Sequence, residues 1–134
     1  MSIILGFDPG RDKCGVAVMG NDRQIQFHQV IASQEAIATI DNLIHQFGID
    51  LIVMGNLTTA KSWRQELETN LSTSIPIALV DERNSTLEAR DRYWCMYPPT
   101  GLNKLIPQSM RLPPRPIDDI VAILLIERHI KTDS

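Results

Sequence analysis

The chain has 134 residues, of which 43% are hydrophobic, and a formal net charge of -3; this is enough apolar material for one core, and too acidic a balance for coating nucleic acid by bulk charge. No apolar run approaches the roughly 20 residues of a membrane span, and Met1-Ser2-Ile3-Ile4 enters a strand rather than a signal peptide, so a cytoplasmic protein with no membrane partner is expected. Cys14 and Cys95 lie far apart, and His28, His45 and His129 fall at no zinc-ligand spacing with them, which argues for reduced thiols and against structural zinc.

In chain order, Ser2 to Phe7 reads as a buried strand that ends at the turn Asp8-Pro9-Gly10. Gly15 to Met19 and Ile25 to Ile31 are two further strands, and the Gly20-Asn21-Asp22 between them is a hairpin signal; the three predict an antiparallel meander. Ser33 offers an N-cap to a helix whose Ala36, Ile37, Ile40, Leu43, Ile44 and Phe47 share one face until Gly48 stops it. Asp50 to Met54 is short and unbroken in its apolarity, as expected of a central parallel strand covered on both faces. Thr59 to Leu71 is compatible with helix, and Ile75 to Val80 with a second buried strand. Ser85 and Glu88 have capping-box spacing ahead of a short helix. Tyr97-Pro98-Pro99-Thr100-Gly101 then breaks regular structure, and Pro116 is placed to open a last helix with Ile117, Ile120, Val121, Leu124, Leu125 and the Arg128 stem on one face. The expectation is a single α/β domain over 1–134, with a mixed sheet and helices on both faces.

Acids recur at the ends of these elements. Asp8 closes the first strand, Asp81-Glu82-Arg83 follows the last, and Asp118 and Asp119 open the final helix. Each has a plain structural role available: a turn aspartate bonding its own backbone, a solvated charge cluster, or acids favoured by a helix macrodipole. Convergence of all three ends would instead build an oxygen-rich site for a hard divalent cation such as Mg2+, which usually combines a few carboxylates with water and substrate phosphate. Thr100 to Pro116 carries Lys104, Arg111 and Arg115 and no acid, so it is either a phosphate-facing segment or a solvated proline-rich loop.

Three blocks together resemble the YqgF family, also called RuvX and related to the RuvC Holliday-junction resolvases: Gly6-Phe7-Asp8-Pro9-Gly10 with Cys14-Gly15-Val16-Ala17-Val18, Val80-Asp81-Glu82-Arg83-Asn84-Ser85-Thr86-Leu87-Glu88-Ala89, and Ile117-Asp118-Asp119-Ile120-Val121-Ala122. The resemblance implies a ribonuclease H-like fold with a mixed five-stranded sheet. It also implies a nuclease using Mg2+ or Mn2+ and associated with processing of pre-16S ribosomal RNA, with RNA or branched DNA as partner. Motif by motif, it carries the catalytic and metal-ligating roles to Asp8, Glu82 and Asp118, with Asp119 as a one-residue alternative ligand. Arg83 and Arg115 become phosphate-facing candidates beside Lys104 and Arg111, and a homodimer is left open. Two departures stand out. Pro9 makes the first block read like the resolvase Asp-Pro-Gly, and Gly55-Asn56-Leu57-Thr58-Thr59-Ala60-Lys61 replaces the family's usual Gly-Leu-Pro and glycine loop. Resolvases carry a glutamate near that strand end, and neither Gly55 nor Asn56 supplies its charge.

Other readings are a Holliday-junction resolvase proper and a non-catalytic nucleic-acid-binding or interaction module on the same fold. A sugar-kinase or actin-like ATPase shares the Asp-x-Gly turn but needs two such subdomains, and no second phosphate loop is evident in this chain.

Overall fold

The computed structural model describes residues 2–20, 22–56 and 59–133. β1 (Ile3–Asp8), β2 (Lys13–Gly20), β3 (Ile25–Ala32), β4 (Leu51–Gly55) and β5 (Ile77–Val80) form one sheet in the order β3-β2-β1-β4-β5. β2 runs antiparallel to β1 and β3, whereas β1, β4 and β5 are mutually parallel. Parallel neighbours need crossovers, and α1 (Ala36–Phe47) and α2 (Ala60–Asn70) supply them. α3 (Ser85–Met96) and α4 (Asp118–Asp133) complete the described chain. The mixed five-stranded sheet with helices on both faces is the architecture expected from sequence. Asn21 of the hairpin signal, and Leu57 and Thr58 after β4, lie outside the described residues.

Strand alternation sorts the core into two layers. Leu5, Phe7, Val16, Val18, Ile52 and Met54 point to the side of α1 and α2, where Ile40, Leu43, Ile44 and Leu67 meet them. Ile4, Ala17, Met19 and Val53 point to the other side, against Ala89, Tyr93 and Trp94 of α3 and Ile120 to Ile126 of α4. Gly48, at φ 69°, ends α1 in the left-handed conformation, and its amide donates to the Ile44 carbonyl.

Four local readings change. Ser33 does not cap α1: it starts a 3-10 turn, Ser33–Glu35, and its hydroxyl donates to the Gly10 carbonyl at 2.8 Å. That bond, with the Cys14 thiol 3.4 Å from Ser33 Oγ, pins the turn after Asp8. Ser85 is the first residue of α3 rather than its cap; Asn84 takes the cap position at φ 62°, a left-handed value that Asn tolerates. α4 begins at Asp118, two residues after Pro116. Its burial is also continuous from Asp119 to Ile126 rather than confined to one stripe, because the helix lies between the sheet and α3.

That burial depends on close approach at β2. A side chain on Gly15 would overlap the backbone of Asp118 and Asp119, so the start of α4 rests directly on the strand. Gly15 is also the ladder partner of Asp8. The same missing Cβ therefore brings the first turn of α4 down beside the end of β1.

Candidate active site

Because β1, β4 and β5 are parallel, their C-terminal ends share one edge of the sheet, and a crevice beyond such ends is the usual binding place in open α/β sheets. Asp8 is the last residue of β1. Glu82 follows β5 in a tight turn: the Asp81 carboxylate accepts from the Arg83 amide at 3.0 Å, and the Ser85 amide donates to the Glu82 carbonyl at 3.0 Å. Asp118 arrives from α4 through the Gly15 contact.

Asp8 feels both of the other carboxyl groups. Asp8 and Asp118 meet side chain to side chain, a contact that favours a proton on Asp8. Burial, then the charges of Asp118 and Glu82, push the Asp8 carboxyl up to about 8. Burial likewise raises Asp118, and it raises Glu82 against the opposing pull of the Arg128 guanidinium. Glu82 Oε2 is buried and has no hydrogen-bond partner among the described residues. Its place is set by Gly55, since a Cβ there would occupy the position of the Glu82 carboxyl group. The charge that β4 does not itself carry is thus brought to its end from β5.

An orphaned buried carboxylate oxygen, beside two further carboxyl groups of which Asp8 is pushed up by burial and by its acidic neighbours, suits a hard divalent cation in donor chemistry. Among the described residues, no three His, Cys, Asp or Glu side chains are already drawn to ion-holding distance.

Asp119 faces elsewhere and is buried. His28 Nδ1 lies 2.6 Å from its Oδ2, Arg115 donates to Oδ1 at 3.0 Å and to Oδ2 at 3.4 Å, and the Ile120 amide donates to Oδ1 at 3.0 Å. Arg115 also stacks on Tyr93 and Tyr97, with its Cζ 5.3 Å and 5.8 Å from the ring centroids. This cluster ties β3, the α3–α4 loop and the first turn of α4 together. Asp119→Ala should therefore destabilise the fold by about 2–4 kcal/mol, because it strands Arg115 and His28. Urea denaturation checks this, and a loss below about 1 kcal/mol would count against the cluster as an anchor.

Of the other cations, Arg83 is 84% exposed and pairs with Asp81 at 3.2 Å, a surface contact weak enough to exchange for a phosphate. Lys104 and Arg111 lie on the α3–α4 loop. Sequence reasoning did not find His28, Arg128 or Gly55. The glycine alone left a signal, as the residue that ends β4 where charge was sought.

A sequence model of the RuvX family, described as Holliday junction resolvase, matches residues 2–97. The chain belongs to the RuvX family. RuvX is a resolvase-like nuclease family, which places this chain among phosphodiester hydrolases. The match stops before α4, so Asp118 lies beyond it. Thermus thermophilus RuvC, in a structure with Holliday junction substrate, superposes with a TM-score of 0.63 at 13% identity, covering 99% of this chain and 96% of that one. A second Thermus thermophilus RuvC structure gives 0.59 at 11% identity, covering 98% and 95%. At such identities the likeness is one of fold, ribonuclease H-like and inclusive of α4. No curated protein sequence matches the chain. Among the described residues no helix is long and apolar enough to cross a membrane.

Proposed function

We propose that this RuvX chain acts as one domain and as a divalent-metal-dependent endonuclease of structured nucleic acid, with Asp8, Glu82 and Asp118 holding Mg2+ or Mn2+. The observation that carries the reading is the meeting of Asp8 and Asp118 at one strand end beside the buried, unpartnered Glu82 oxygen, an arrangement short of positive charge. A divalent ion bound there supplies Lewis acidity toward the phosphodiester and neutralises charge developing on its oxygens. The chain's own residues orient and admit. Asp8 gives up its proton and, with Asp118, presents paired oxygens from two rigid elements. Glu82, seated against Gly55, faces them from the end of β5, and Arg83, Lys104 and Arg111 receive flanking phosphates. Asp119 serves the site by fixing the helix turn that carries Asp118. The precursor of 16S ribosomal RNA is the proposed substrate. Branched DNA is the second reading, favoured by the fold shared with RuvC.

Purified protein assayed with Mg2+ or Mn2+ on matched structured ribosomal RNA precursor, four-way DNA junction and linear duplex decides between them, with Asp8→Asn as control for contaminating nuclease. Cleavage of the precursor alone supports the first reading, and junction cleavage supports the second. Binding without cleavage of any substrate by the metal-loaded protein would assign the chain to a non-catalytic module.

The raised Asp8 carboxyl also sets a pH dependence. Metal must displace its proton, so Mn2+ affinity should rise with pH by about tenfold per unit below the Asp8 value of about 8, then level off. Calorimetric titration with Mn2+ between pH 6 and 9 measures this directly. A flat profile would remove Asp8 as a ligand.

A further inference from the structure

The loop between α3 and α4 exposes large apolar side chains that the proposed chemistry does not use. Leu102 and Leu105 are each 81% exposed, Met110 72% and Leu112 68%. Such a group in one short segment marks an interaction surface. The loop is fastened rather than slack: Trp94 Nε1 donates to the Arg111 carbonyl at 3.3 Å, and Gln108 Nε2 donates to Asp91 Oδ1 at 3.1 Å. The Arg111 guanidinium donates to the Ile106 carbonyl at 2.7 Å and lies 5.3 Å over the Trp94 ring. These contacts bind the base of the loop to α3 and leave the leucines and methionine outside.

The charges within the loop itself are all positive. No Asp or Glu occurs between Asp91 and Asp118, while Lys104 and Arg111 do, in a chain whose net charge is -3. A purely apolar protein partner would not call for that local bias, whereas a polyanion that also offers apolar faces would. Nucleic-acid bases outside a continuous stack have that combination. The loop also runs directly into Asp118.

We propose that this loop is a wedge that enters nucleic acid where stacking is already broken, so that the site takes helices interrupted by a junction or a bulge in preference to continuous duplex. Apolar side chains placed against a base step replace lost stacking, and entry costs least where the stack is already open. The inference rests on the nuclease reading only in placing the substrate beside Asp118.

The test is a binding measurement in EDTA, with 2-aminopurine beside a bulge or at the crossing of a four-way junction, and the same label in continuous duplex. Wild-type protein should raise the fluorescence of the interrupted substrates and bind them about tenfold or more tightly than duplex. Changing Leu102, Leu105, Met110 and Leu112 together to Ser, at positions already facing solvent, should abolish the fluorescence change and bring the preference near one, with the salt slope unchanged. Lys104→Ala should instead flatten the salt slope and leave the preference in place. An undiminished preference in the serine variant overturns the proposal. So does a loop-dependent dimer in sedimentation whose disruption leaves the preference intact, since the loop would then be covered by a second copy. No cleavage enters this assay, so a protein that discriminates but never cuts defeats the nuclease reading alone, and an active nuclease indifferent to interruptions defeats the wedge alone.

Discussion

Asp8→Asn should lower metal-dependent cleavage by roughly 100-fold or more and at the same time stabilise the metal-free protein at alkaline pH. Both effects come from one carboxyl group. In the unfolded chain Asp8 titrates near 3.8, and in the fold it holds its proton up to about 8. Between these values the folded state binds a proton that the unfolded state has released, so stability declines as pH rises from about 4 to about 8 and is level above that. Asn keeps the shape and can still donate to Asp118, yet it never acquires the charge that Asp118 and Glu82 oppose. Thermal melts in EDTA at pH 4.5 and 8.5 read the sign: the variant should gain on the order of a few kcal/mol at the higher pH and almost nothing at the lower. A variant less stable than wild type at pH 8.5 would show that Asp8 is a structural aspartate, and its loss of activity would then say little about metal.

Gly55→Ala is the second large effect, expected in function and not in stability. The added methyl meets the Glu82 carboxyl group, the far end of a flexible side chain, which can turn away without moving β4 or β5. The melting temperature should stay close to wild type, while cleavage and Mn2+ affinity fall by about tenfold or more because Glu82, displaced from its seat at Gly55, turns away from the site. Combining it with Glu82→Gln tells displacement from damage. If Gly55 acts only through Glu82, the double variant is no worse than Glu82→Gln alone, because two changes to one interaction are not additive. A double variant markedly worse than either single change would mean that Gly55 serves the sheet instead.

The elements were legible because their signals are local. Strand-length apolar runs, the helical spacing of Ala36 to Phe47 and its stop at Gly48 depend only on residues a few positions apart, and β1 to β5 formed where those patterns placed them. The acids were legible one at a time, as the residues that close β1, follow β5 and open α4. Their grouping was expected from the family resemblance and not from any local pattern, because it depends on strand order: the parallel run of β1, β4 and β5 sends Asp8 and Glu82 to the same edge, and the contact at Gly15 delivers Asp118. Tertiary structure also separated two adjacent aspartates that sequence treated as alternatives. Consecutive helix residues point about 100° apart, so the turn that faces Asp118 toward Asp8 faces Asp119 toward His28 and Arg115. The partners that distinguish them come from β3 and the α3–α4 loop, and no local pattern in the chain could have named them.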